Sequence, residues 1–183
     1  MNVASAAVHP EAAIDWVFAG PRVHGRPVDA RDHALYRALY TSPEVMAHIG
    51  PVMTAEQADR ELARAISHNE RLLARICARY WSLSDIAGAV SIGIGALVRE
   101  NGNPSVMEVG IMLLPEYQRA GLGKEIFGQL VACAVSVPWP QPVLGLFARH
   151  ARDNAHAGRL PESCGFIPIT SAGSHLRWER ALG

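Results

Sequence analysis

One short stretch, Gln118-Arg119-Ala120-Gly121-Leu122-Gly123-Lys124, carries the plainest chemical signal in this chain of 183 residues. Leu122, Ile126, Leu130 and Cys133, with Phe127, Val131 and Ala134 alongside, recur after it at helical spacing. The first amides of a helix have no intrahelical partner, and glycines let a backbone turn tightly and approach a ligand. A loop of this kind at a helix start attracts anions, phosphate above all. A Walker A loop would need Gly where Gln118 stands and Ser or Thr where Glu125 stands. A dinucleotide fingerprint would need Gly at Ile126. A glycine-rich turn that holds no ligand is the competing reading. It loses weight because strand, proline stop, loop and helix occur in the order an anion site requires.

The elements around the loop follow from changes of period. Met107, Val109, Ile111 and Leu113 alternate with Glu108, Gly110, Met112 and Leu114, a strand that Pro115 ends because it has no N–H to donate. Upstream, Arg22 to Arg26 reads as a first strand, Asp29 with Asp32 as a helix start, and Ser42-Pro43 as a second. Thr54 with Gln57 forms a capping box ahead of Ala58, Leu62, Ala65 and Ile66. Ala78 to Ser84 and Ala87 to Arg99 read as strands, and Asn101 to Pro104 as a hairpin turn. Prolines at 138, 140 and 142 end the helix from Leu122 to Val137, and Val143 to Ala148 returns to strand. The unit from Val109 to Phe147 is therefore a right-handed parallel crossover. Asp153-Asn154 caps a short helix that contains Pro161 and ends before Gly165, and Pro161 should bend or loosen it. Strands over Phe166–Thr170 and His175–Ala181 close the chain.

Lys plus Arg and Asp plus Glu number 17 each, so net charge gives no reason to expect nucleic acid as a partner. Cys77, Cys133 and Cys164 are scattered without metal-ligand spacing, and read as reduced thiols with no metal site. The start lacks the cationic flank and apolar core of a signal peptide. The longest apolar run, Ile86 to Val98, has 13 residues, short of the about 20 a spanning helix needs. The expectation is a soluble, cytoplasmic protein with no membrane partner. Residues 1–15 read as a loose arm and 16–183 as one domain.

The order of elements, with Gln118-x-x-Gly121-x-Gly123, resembles the GNAT N-acetyltransferase superfamily. Ser42 to Gly50, Glu108-Val109-Gly110, Pro115 to Glu125, and Asn154 ahead of Gly165-Phe166 are similar to its ribosomal-protein N-terminal (RimJ/RimL-type) branch. The resemblance implies an α+β fold with a mixed central sheet of about six to seven strands, splayed in the middle and flanked by helices. It implies acetyl-CoA as co-substrate and a primary amine, on a small molecule or a peptide N-terminus, as acceptor. Backbone groups of Met112, Leu113 and Leu114 would pair with the pantetheine arm. Gln118, Arg119, Ala120, Gly121, Leu122, Gly123 and Lys124 would hold the pyrophosphate, and Asn154 would bond the cofactor arm.

For the chemistry, a protonated amine has no lone pair, so a base is useful near neutral pH. Glu108 is the leading candidate, its alternative being a strand carboxylate or a partner of Arg99. His150 is a further titratable group near the slot. Proton donors of the family fall here on Pro161 and Ala157, which cannot donate. The thiolate then leaves unaided, a donor comes from Ser163 or His156, or the chain binds acyl-CoA without turnover. Arg149, Arg152 and Arg159 form a basic run within reach of the 3′-phosphate, or a solvated loop face. Tyr80 and Trp81 are candidates for the acceptor pocket. Either a monomer or a homodimer paired through the last strands fits the sequence.

Overall fold

Two kinds of periodicity, helical and alternating, lay out the chain as strands β1 (Phe18–Ala19) and β2 (Val23–Pro27), a 3-10 turn (Ala30–Asp32), and helices α1 (His33–Tyr40), α2 (Pro43–Met46) and α3 (Ala55–Asn69). Strands β3 (Ala78–Asp85), β4 (Ser91–Glu100) and β5 (Asn103–Leu113) follow, then α4 (Leu122–Ser136), β6 (Gly145–Ala151), α5 (Arg159–Ser163), β7 (Ile167–Ile169) and β8 (His175–Ala181). This computed structural model describes residues 16–71, 76–86, 90–137, 139–154, 157–169 and 173–182. The expected strand residues Ala87 to Ala89 lie outside that set, as do the arm before Trp16, His156 and Thr170.

The strands form one mixed sheet in the order β1-β2-β3-β4-β5-β6-β8-β7. It has eight strands rather than six or seven; the addition is β1, whose two residues are too few to show a period. All neighbours are antiparallel except β5 and β6, the parallel pair joined through α4. One core lies between the sheet and α4, with Trp81, Leu97, Met107, Val109, Ile126 and Leu130 among its buried residues. The other lies under α1 and α3 and holds Leu35, Tyr36, Leu39, Leu62 and Ile94. α4 sits low on the strands because residue 95 is glycine: a Cβ there would stand 3.2 Å from Leu130.

The start of the α1 region is locked by charge. Asp29 and Asp32 cap each other's backbone, and Arg26 donates to both carboxylates of the pair at 2.7 to 3.1 Å. The guanidinium of Arg31 donates to Asp29 and holds that carboxyl down at about 2. Asp32 is 1% exposed and also accepts from the Ser82 hydroxyl at 2.7 Å, tying the helices to β3. Arg79 does the same at the far end of α3. Its buried guanidinium donates to the carbonyls of His68, Asn69 and Arg71, the negative end of the helix. It has no carboxylate among those partners, and burial pushes it down to about 10.

Pro161 does not bend α5. It stands third in the helix, within the first turn, where an N–H would lack an intrahelical partner anyway. The helix also begins at Arg159, later than Asp153-Asn154 suggested, and Gly165 beyond it takes φ +80°. Removing the buried carboxylate at the α1 start strands the Ser82 hydroxyl and the Asp29 amide and leaves Arg26 with Asp29 as its one carboxylate. Asp32→Ala is therefore expected to cost about 3 kcal/mol, read as a lower urea midpoint with unchanged slope.

Candidate active site

β5 and β6 are paired only over three residues, Val106 with Gly145 to Glu108 with Phe147. Past that point β5 stays with β4 as far as Leu113, and β6 stays with β8 as far as Ala151. Between the parting strands lies a cavity of about 550 Å³. Its walls include Ile111, Phe127 and Leu160 on the α4 side and Tyr40, Tyr80 and Glu108 on the other, so it passes through the sheet.

Which backbone groups face this gap follows from the ladder. Leu114 donates its N–H to Ile92 of the β4 side. Backbone direction alternates along an antiparallel strand, so Met112 and Gly110 also face β4, while Val109, Ile111 and Leu113 face the gap. The Leu113 carbonyl already accepts from the Gln118 side chain at 2.9 Å. The unpaired edge therefore runs over Val109, Ile111 and the Leu113 N–H; of the expected Met112, Leu113 and Leu114, the middle residue faces the gap and its two neighbours face β4.

The glycine loop lies at the end of the same gap. Arg119 and Gly121 both take left-handed φ, +62° and +74°, and no side chain caps the start of α4. Gly123 faces Ile111 and Leu160, each 3.5 to 3.6 Å from where its Cβ would stand, so the uncapped helix start adjoins the cavity wall. A brace that sequence reasoning missed holds the loop. Arg22 donates to the carbonyls of Ala120 and Gly121 at 3.1 Å and to Glu125, and Glu125 also accepts the amides of Arg22 and Val23. With two loop carbonyls drawn toward Arg22, the loop is stiffened from behind. Only the odd Glu125, where Ser or Thr would suit a Walker loop, hinted at this.

Glu108 stands at the apex of the slot, with both oxygens held by Arg149 at 3.0 and 2.7 Å. Its partner is thus Arg149 and not Arg99, whose guanidinium goes to the carbonyls of Pro104 and Gln141. The basic run is dispersed: Arg149 belongs to Glu108, and Arg152 donates to the carbonyl of Gly173. Tyr80 lines the cavity and is positioned by Asn69, whose amide bonds both its N–H and its carbonyl. Tyr80, Ala96 and Gly110 stand opposite one another on three strands, so a methyl and a hydrogen floor the way from the phenol to the slot.

Two candidates change character. Trp81 is fully buried on the other face of β3, in the α4-side core, donating to the Trp16 carbonyl; alternation sends it away from Tyr80 and from the cavity. His150 does line the cavity, but Trp178 Nε1 donates to its Nε2 at 3.0 Å. Indole nitrogen only donates, so His150 carries its hydrogen on Nδ1, which faces the Ala151 carbonyl at 2.8 Å. Both ring nitrogens are occupied. Asn154 accepts from the Ala157 amide at 3.3 Å, shaping the turn before α5. Pro161 and Ala157 line the cavity, and the Ser163 hydroxyl donates to Leu160. Among the described residues no group of three or more His, Cys, Asp or Glu side chains is placed to hold a metal ion, and no helix is long and apolar enough to cross a membrane.

Sheet order, strand divergence and uncapped glycine turn together define an acyl-CoA-dependent transferase architecture, and the family profile described as acetyltransferase (GNAT) domain matches residues 22–167. The chain belongs to this family of GNAT acetyltransferases, the RimJ/RimL type. Among solved structures it is similar to spermidine N-acetyltransferase from Vibrio cholerae, in complex with CoA and spermine, at 17% identity and TM-score 0.71 over 88% of this chain and 96% of that one. It is also similar to RimL, the ribosomal L7/L12 α-N-protein acetyltransferase in complex with coenzyme A, at 11% identity and TM-score 0.74 over 91% and 98%. Ribosomal-protein-S5-alanine acetyltransferase from Vibrio fischeri matches at 15% identity and TM-score 0.73 over 91% and 97%. No curated protein matches the chain.

The brace makes a prediction. Glu125→Ala leaves two backbone amides and the Nε of Arg22 without their acceptor, and is expected to cost about 1–3 kcal/mol. Hydrogen exchange should quicken at residues 120–124 while the amides of β4 and β5 keep their protection.

Proposed function

We propose that the chain transfers an acetyl group from acetyl-CoA to the primary amine of a cationic acceptor, by direct attack within the slot. The observation that carries this reading is the shared wall: the uncapped start of α4 and the unpaired edge of β5 meet at Ile111, beside one cavity that crosses the sheet. In this reading the amides from Arg119 to Lys124 take the pyrophosphate. The pantetheine amides pair with Val109 and Ile111 as an added strand would, and the acceptor enters from the side of Tyr40 and Tyr80. Complexes of the relatives with CoA support the co-substrate, and the spermine complex supports an amine acceptor.

Glu108 is assigned the acceptor nitrogen. An ionised carboxylate has about four lone-pair sites, so the bidentate Arg149 leaves room for one more donor. An ammonium held there lies at the apex where β5 and β6 part. Burial pushes the phenol of Tyr80 up, and that of Tyr40 up to about 12, so both line the acceptor side as neutral groups. With Pro161 and Ala157 in the donor positions, the CoA thiolate leaves without a side-chain acid and takes its proton from the newly formed amide nitrogen. The same two residues favour a second reading, an acyl-CoA-binding module that does not turn over.

An amine panel assayed for thiol release separates the two. Release with at least one amine is expected, and CoA at a hundredfold its Kd should stabilise the fold by about 2.7 kcal/mol. Glu108→Gln weakens a charge-assisted contact worth about 1.5–3 kcal/mol, so kcat/KM should fall about ten- to hundredfold with CoA affinity unchanged. Tight CoA binding without release from any amine would leave only the binding module.

A further inference from the structure

His48 stands at the acceptor side of the cavity, two residues past the end of α2. Its Nδ1 lies 3.2 Å from Oδ1 of Asp153, which follows β6 and is 105 residues away in sequence. An ionised carboxylate only accepts, so Nδ1 carries the hydrogen, and in the neutral imidazole it is Nε2 that has the lone pair. No hydrogen bond among the described residues engages that Nε2. His48 lines the cavity and Asp153 does not, so the order is carboxylate, imidazole, cavity. A base oriented by a third group behind it has this arrangement.

The other candidates near the slot are committed elsewhere. His150 has both nitrogens bonded, by Trp178 and by Ala151. Glu108 has both oxygens on Arg149 and, in the reading above, serves with its remaining lone pairs as the anchor of the ammonium. The groups that share the cavity with His48 are Tyr40 from α1, Tyr80 from β3, Glu108 from β5, Arg149 and His150 from β6, and His175 from β8. Glu108 and Arg149 neutralise each other, the two phenols are neutral, and Nδ1 of His175 lies 3.0 Å from the Ser174 hydroxyl. Glu44, the charged residue of α2, is exposed. Asp153 is the carboxylate that touches the imidazole.

We infer that His48, oriented by Asp153, is the base that removes a proton from the acceptor ammonium. This rests on the acetyl-transfer reading above. The ammonium gives one proton to Nε2. The freed lone pair forms the C–N bond to the thioester carbon, and the C–S bond breaks with its pair going to sulfur. The second proton lost by nitrogen passes to the thiolate, and His48 returns the first to solvent. Amide, CoA thiol and one released proton balance the ammonium and acetyl-CoA consumed.

The test compares wild type, His48→Gln and Asp153→Asn by thiol release with a polyamine and with a peptide bearing a free N-terminus. Rates are followed from about pH 6.5 to about pH 10, and acetyl-CoA binding is measured by calorimetry. General-base loss is worth about 10²–10⁴ in rate, so His48→Gln should lower kcat/KM at least a hundredfold near neutrality. The deficit should shrink tenfold or more towards pH 10, because an amine with ordinary pKa of about 10 then arrives deprotonated. Asp153→Asn should show a smaller deficit with the same pH trend, and both variants should bind acetyl-CoA within twofold of wild type. His48 side-chain exposure of 41% makes the substitution compatible with folding. A deficit constant over the whole range, or a His48→Gln rate within twofold of wild type, overturns the assignment while acetyl transfer stands. No release by wild type with any amine overturns acetyl transfer itself, and the role of His48 with it.

Discussion

Three residue pairs, Val106–Gly145, Met107–Leu146 and Glu108–Phe147, hold the two halves of the sheet together before the strands part. A gap inside a sheet is costly unless something stiffens its sides, because each buried amide or carbonyl left without a partner costs about 1–3 kcal/mol. Here each side is stiffened from outside. β5 is paired with β4 from Met107 to Leu113, and β6 with β8 along its whole length from Gly145 to Ala151. At the apex the Glu108–Arg149 pair bridges the first step beyond the last paired residues. The strands are therefore kept apart by their own neighbours, and the exposed edge of Val109 and Ile111 is a built feature of the fold.

The glycine loop depends on the same geometry. α4 leaves the end of β5 through Pro115–Tyr117 and returns across β4 and β5, with Leu130 seated on Gly95. This fixes where the helix begins relative to Ile111. Gln118 ties the loop to the Leu113 carbonyl on one side, and Arg22 ties it to the β1–β2 turn on the other. Left-handed backbone at Arg119 and Gly121 sets the turn between these two anchors. Two of its carbonyls are consumed by Arg22, so the face opposite that guanidinium is left to the amides.

Much of this was legible in the residues. Strand, stop, loop and amphipathic helix around Gln118–Lys124 occupy the places that their periods indicated, and the parallel crossover to β6 followed from them. Misreadings came where the signal was too short or not local. β1 has two residues and so no period, and the true start of α5 is hidden because Asn154 makes a turn rather than a helix cap. Tyr80 and Trp81 are adjacent in sequence and equally aromatic, yet only register assigns one to the cavity and the other to the core. Side-chain partners were the least legible. Arg149 is 41 residues from Glu108, Trp178 is 28 from His150, and Arg22 about a hundred from the loop it braces. No spacing rule links positions joined only by the sheet.

Polar groups around the cavity also explain why the family's usual donors can be absent. Acetyl transfer needs no acid if the nitrogen that sheds a proton lies beside the sulfur that gains one, and a narrow slot holds them together. In the proposed reaction the site has to deliver a neutral amine to a place that attracts cations. Glu108 alone would hold the ammonium and oppose its deprotonation; the guanidinium of Arg149 moderates that field at the apex. Proton acceptance and amine anchoring are then best served by different groups, one at the apex and one nearer solvent, from which the proton can depart. The α2 end and the loop after β6 meet beside the cavity, and it is there that the fold places a second carboxylate against an imidazole.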